Sequence, residues 1–193
     1  MREFWIRQAN ALVTELVSPC PIGAFASVVA NHTASQRGEL VCIALNTARI
    51  TGDPIAHGEI AAIQNCTAIL ADPAGPYQLT PAQTRAAFTD LSLYTNAESL
   101  PHGTLLSSLA TVHTGFREYV YGVSTEALVE LGWTQIRIPS VEIFRQSFDL
   151  PNPARLVGGI LAEETEPMFS WQFNPETTCP QGCQRAGGAR QPV

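Results

Sequence analysis

The sequence predicts an α/β domain of three layers, with helices on both faces of a central mixed sheet of about five strands. Two observations carry that expectation. A hairpin pattern near the N-terminus is followed by alternating helix and strand signals to about residue 150, the order of a sheet covered on both sides. The length of 193 residues, with 45% apolar and only 15% charged side chains, suits one domain with a substantial core.

The elements follow in order. Trp5, Ala9, Leu12 and Leu16 recur at helical spacing over residues 4–17, and Ser18-Pro19 stops that helix. Residues 22–29 and 39–45 read as strands around a polar turn, hence a hairpin. Asp53-Pro54 introduces a helix that carries His57 and Glu59 and is expected to bury Ile60, Ile63 and Ile69. A loop rich in Pro and Gly at 72–76 precedes a short helix opened by Thr80-Pro81. Residues 91–95 form a compact strand. Pro101 stands in the first turn of a helix whose apolar side chains are Leu105, Leu106, Leu109 and Val112. Residues 116–121 are a strand, Ser124 caps a helix to Leu131, residues 134–138 are a last short strand, and Ser140 caps a further helix. The domain is expected to span 1–150. Residues 151–193 form a C-terminal extension that packs on it through Phe169, Trp171 and Phe173 and frays at its end.

A formal charge of −6, with 11 scattered basic residues, argues against a nucleic-acid partner. No apolar run reaches the roughly 18 residues of a membrane span, and the first residues lack the pattern of a signal peptide, so a cytoplasmic protein without a membrane partner is expected. The five cysteines are an odd number. Cys42, inside a strand, and Cys66, on a helix, are expected as small buried hydrophobes. Cys179 and Cys183 lie on a surface turn, or form a disulfide if the compartment is oxidising.

The step His57-Gly58-Glu59 opens one helix. The run Leu93-Tyr94-Thr95-Asn96-Ala97-Glu98 leads into Ser99-Leu100-Pro101-His102-Gly103. Together they resemble the H-x-E…P-C-x-x-C signature of zinc-dependent nucleobase deaminases. Pro21-Ile22-Gly23-Ala24 resembles the Pro-Phe-Gly-Ala opening of the guanine-deaminase-like and tRNA-adenosine-deaminase-like branch, and Phe116-Arg117-Glu118-Tyr119-Val120-Tyr121-Gly122 resembles its fourth strand. Residues 1–140 are covered. The resemblance implies a cytidine-deaminase-like fold and a homodimer, with Leu105-Leu106-Ser107-Ser108-Leu109 partly buried against the partner. It also implies a small-molecule substrate contacted by Asn46, with Asn96 and Phe25 as further binding residues.

The thiol positions of the signature fall on Leu100 and Gly103, which cannot ligate a metal. A catalytic zinc needs three protein donors and an open position. His57, with His102 and Glu59 drafted in, would give a two-His-one-carboxylate set and would remove the proton-shuttling carboxylate. The expectation is therefore no metal and no other cofactor. His57, Glu59 and His102 become the candidate acid/base groups for isomerisation, elimination or cyclisation of a heterocyclic or carbonyl-bearing metabolite. Two alternatives stay open: a non-catalytic subunit or ligand-binding module, and a zinc-dependent deaminase with atypical ligands.

Overall fold

A computed structural model describes residues 1–16, 24–98, 104–134, 136, 138–180, 183–186 and 189–192. The first helix, α1 (Arg2–Leu16), buries Trp5, Ile6, Ala9 and Val13. Strands β1 (Ala26–Asn31) and β2 (Glu39–Leu45) form the expected antiparallel hairpin, with an irregularity between Val29 and Ala30. A short helix, α2 (Ala48–Thr51), was not foreseen; it ends on Gly52 in the left-handed conformation. Helix α3 (Gly58–Ala71) follows with His57 as its N-cap.

The core face of α3 differs from the expected isoleucine face. Glu59, Ala62, Cys66 and Leu70 are buried, while Ile60, Ile63 and Ile69 are only partly covered. The cause is covalent. Cys66 is joined to Cys42 of β2 by a disulfide with Cα atoms 5.3 Å apart, and that bond turns the Cys66 stripe onto the sheet. The expectation of two separate buried thiols is thus corrected. Cys183 is also disulfide-bonded, whereas Cys179 is free, so these two are not joined to each other. Disulfides are rare in the reducing cytosol, and the pairing therefore weighs against the cytoplasmic expectation.

Helix α4 (Pro81–Ala87) starts as foreseen: Thr80 accepts from the Gln83 backbone, and the Gln83 side chain accepts in return from Thr80. A 3₁₀ turn (Phe88–Asp90) leads into β3 (Leu91–Ala97), then come α5 (Thr104–Thr114), β4 (Glu118–Val123), α6 (Thr125–Glu130) and α7 (Ser140–Gln146). Ser124 caps α6 as expected, but α7 is entered through Pro139, with Ser140 its first residue.

The described part of 134–138 is not a strand, and Ile136 and Ile138 are exposed there. The edge of β4 is taken instead by β5 (Arg155–Val157), which runs parallel to it. Gly132, in the left-handed region at φ 91°, and Pro139 bracket the 134–138 run and limit it to a surface connection. The sheet thus takes its fifth strand from beyond residue 150. It is mixed, in the order β2-β1-β3-β4-β5, with β1 antiparallel to β2 and β3 and the last three strands parallel.

Two apolar clusters cover the sheet. One packs Trp5, Ile6, Ala9 and Val13 of α1 with Val28, Tyr94, Val120, Leu128 and Phe169. The other joins Ala62, Cys66 and Leu70 of α3 to Leu93, Phe116, Tyr119 and Phe144. The tail is anchored by its aromatics: Phe169 and Trp171 are buried after the short helices α8 (Ala162–Thr165) and α9 (Pro167–Ser170), and Phe173 stays partly exposed. The end expected to fray instead pairs as β6 (Cys183–Ala186) and β7 (Ala189–Pro192), beginning at the disulfide-bonded Cys183. Among the described residues, no helix is long and apolar enough to cross a membrane.

Candidate functional site

The first half of the expected site is assembled where β1 begins, β2 ends and α3 starts. Beyond β2, the Asn46 N–H donates to the Phe25 carbonyl (2.9 Å) and the Thr47 N–H to the Ala56 carbonyl (3.0 Å), folding the 47–56 segment back onto the strand. This return places His57 at the α3 N-terminus in extended conformation (φ −76°, ψ 154°) and Glu59 in the first turn, where a carboxylate is favoured by the helix dipole. His57 is 6% exposed and Glu59 5%.

The Asn46 side chain is fixed at both ends. Its Oδ1 accepts from the Ala48 N–H at 3.1 Å, and its Nδ2 lies 3.2 Å from His57 Nδ1. The other ring nitrogen, Nε2, is buried and has no hydrogen-bond partner. A second buried polar atom without a partner, Ser27 Oγ, lies beneath the turn: a Cβ on Gly58 would come within 3.1 Å of it. Glycine at the middle of His57-Gly58-Glu59 thus lets the helix start sit directly on β1. Ser27 was missed in the sequence, where one serine in an apolar strand carries no signal.

The second half of the site is built differently. Asn96, at the end of β3, is fully buried, and both functions of its amide are committed to the strand before β1. Its Nδ2 donates to the Ala24 carbonyl at 2.6 Å and its Oδ1 accepts from the Ala26 N–H at 3.1 Å. Gly122 of β4 lies so close to the Asn96 carbonyl that any Cβ there would collide with it. Glu98 is 1% exposed and accepts from the first N–H of two helices, Thr125 of α6 at 2.8 Å and Ser140 of α7 at 2.6 Å. It was also missed, because its partners are backbone groups 27 and 42 residues away. Burial, with the Glu98 and Glu126 charges adding, pushes the nearby Tyr121 phenol up to about 12.

The structure places Phe25 in an aromatic cluster, with ring centroids 4.9 Å from Phe169 and 5.4 Å from Trp133. There it joins the C-terminal helices to the sheet. Residues 99–103, with Leu100, Gly103 and the candidate His102, lie outside the described residues. Of the six expected site residues, Asn46, His57 and Glu59 are brought together; Asn96 and Phe25 stand nearby as structural clamps. A groove of about 580 Å³ lies elsewhere, between α5 and α7, lined by Leu109, Ile138 and Leu150.

A metal does not fit this donor set. Two of the three signature positions carry a hydrocarbon and a glycine, and the surviving histidine has an amide nitrogen against Nδ1. Among the described residues, no group of three His, Cys, Asp or Glu is placed to hold an ion.

No protein-family model matches the chain, and no curated protein does either. Solved structures do. NE0047 in complex with 2,6-diaminopurine superposes with a TM-score of 0.64 at 16% identity, over 92% of this chain and 84% of that one. A guanine deaminase from Nitrosomonas europaea gives 0.56 at 14% identity, over 87% and 80%. A structure from work on A-to-I editing by tRNA:A34 deaminases gives 0.51 at 17% identity, over 86% and 98%. The chain therefore has the cytidine-deaminase-like fold. At these identities the likeness concerns the fold, and chemistry must be read from the site.

Proposed function

We propose that this chain is a deaminase-fold enzyme that carries out metal-independent acid/base chemistry on a small heterocyclic or carbonyl-bearing molecule. The observation that carries this reading is a buried His57 with an unpartnered Nε2, two residues from the buried Glu59, at one helix N-terminus. Buried polar groups in folded proteins nearly always find partners, and an exception at a cleft-forming helix end marks a place for a ligand. Glu59 is the group that moves a proton, His57 binds, Asn46 orients His57, and His102 is held as a further acid/base group.

The ligands of the structural neighbours supply the chemical class. NE0047 was solved with 8-azaguanine and with 2,6-diaminopurine, both flat heterocycles. Oxo- and amino-substituted heterocycles are the first molecules to test, at a net charge that disfavours a nucleic-acid backbone. Assembly is proposed as a homodimer through α5, whose Leu109 is 46% exposed although Ser107 and Ser108 on the same helix are buried.

The test is turnover of such a panel by protein treated with EDTA. Conversion should survive chelation and fall by about 10²- to 10⁴-fold in Glu59→Gln, the range that a positioned general acid or base supplies. Activity that needs added zinc, or full activity in Glu59→Gln, contradicts the proposal. Binding without any conversion would support the ligand-binding alternative.

A further inference from the structure

We infer that His57 acts as a neutral hydrogen-bond donor through Nε2–H, held in that tautomer by Asn46, and that the ligand of this site presents an oxo group to it. This rests on the function proposed above and assigns His57 a role other than proton transfer.

The orientation of Asn46 is fixed independently of His57. Its Oδ1 accepts from the Ala48 N–H, so its other terminus, against His57, is the NH₂ group. An NH₂ group can only donate, and the His57 Nδ1 that faces it at 3.2 Å must accept. A neutral imidazole with an accepting Nδ1 carries its proton on Nε2. That N–H is the buried atom without a partner.

Two consequences follow. The Nδ1 lone pair is already engaged and Nε2 is protonated, so neither nitrogen is ready to ligate a metal. The same tautomer leaves one unsatisfied donor at a desolvated position, which costs about 1–3 kcal/mol until an acceptor arrives. A carbonyl oxygen on a ring suits that donor. Proton removal by Glu59 next to such a carbonyl places negative charge on the oxygen, where a fixed donor stabilises it more than in the ground state. A neutral histidine that polarises a carbonyl beside a carboxylate base is an established division of labour in enzymes. Asn46 is then a positioning residue.

The test is the imidazole nitrogen spectrum of the ¹⁵N-labelled full chain near neutral pH, with His57 assigned through His57→Gln. The expected pattern is an unprotonated Nδ1 and a protonated Nε2. An Nδ1–H tautomer or an imidazolium overturns the inference, whether or not a substrate is known, so its failure is distinct from failure of the proposed reaction. In Asn46→Asp an acceptor replaces the donor, and His57 should move its proton to Nδ1; an unchanged pattern would show that Asn46 does not set the tautomer. Saturating 8-azaguanine, which bears an oxo group, should shift the Nε2–H signal, whereas 2,6-diaminopurine, which has none, should leave it within error. No shift with 8-azaguanine, or equal shifts with both, overturns the oxo assignment.

Discussion

Two buried polar centres stand at the same end of the sheet, and they are finished to different degrees. Around Asn96 and Glu98, the polar groups are used up: four side-chain hydrogen bonds run to the backbone at Ala24, Ala26, Thr125 and Ser140. Around His57, Nε2 and the neighbouring Ser27 Oγ have no partner at all. Saturated groups of this kind specify the fold, since each lost bond strands a buried backbone atom. Unsaturated ones cost stability in the free protein and repay it only with a ligand. The contrast separates the clamp from the site more sharply than residue type does, because both centres pair an asparagine with an acidic residue nearby.

Mutations can break or sharpen that contrast. Glu98→Ala should have the largest effect, a loss of about 3–4 kcal/mol as two buried helix N–H groups lose a charged acceptor, measured by urea unfolding. A loss under about 1 kcal/mol would mean that α6 and α7 do not depend on it. Replacing Cys42 and Cys66 together with Ala should cost about 2–4 kcal/mol for a cross-link spanning 24 residues. Wild-type protein in strong reductant should show the same drop in its unfolding midpoint. Asn96→Ala should cost about 2 kcal/mol, from two buried bonds. On the other side, Ser27→Ala and His57→Phe should change stability by under about 1 kcal/mol in either direction, because each removes a polar atom that has no partner. A large loss in either variant would show that the His57 centre is structural after all.

The smallest effect concerns pH. Burial holds Tyr94, like Tyr121, up to about 12, against about 10 for a free phenol. The raised folded-state values mean that the native state keeps protons that the unfolded chain releases, so stability should be undiminished below pH 10 and decline from 10 towards 12. Ultraviolet titration should find these two phenols ionising late; ionisation of all four tyrosines near pH 10 would contradict the burial of Tyr94 against Trp5 and its bond to His32.

Much of this was legible in the sequence. The hairpin, the helix that carries His57 and Glu59, and the clash between the deaminase signature and Leu100 and Gly103 all follow from local patterns. The errors share one physical origin, which is that competing segments had equal local credentials. Residues 134–138 and 155–157 are both short runs containing apolar β-formers, and only tertiary pairing with β4 chooses between them. The isoleucines of α3 looked like its core face until the Cys42–Cys66 bond fixed the helix rotation. Glu98 could not have been found, since its partners are main-chain N–H groups brought in by the fold. Asn46 and Asn96 are the same residue type at two strand ends, and only their hydrogen bonds show that one orients a histidine while the other staples two strands.

The central claim is that the α3 end works without the metal its signature would suggest, and elemental analysis tests it most directly. Protein purified without chelator and supplied with zinc during expression should hold well under one equivalent per chain, with no change on His57→Ala. One equivalent of zinc per chain, lost on His57→Ala, would contradict the account.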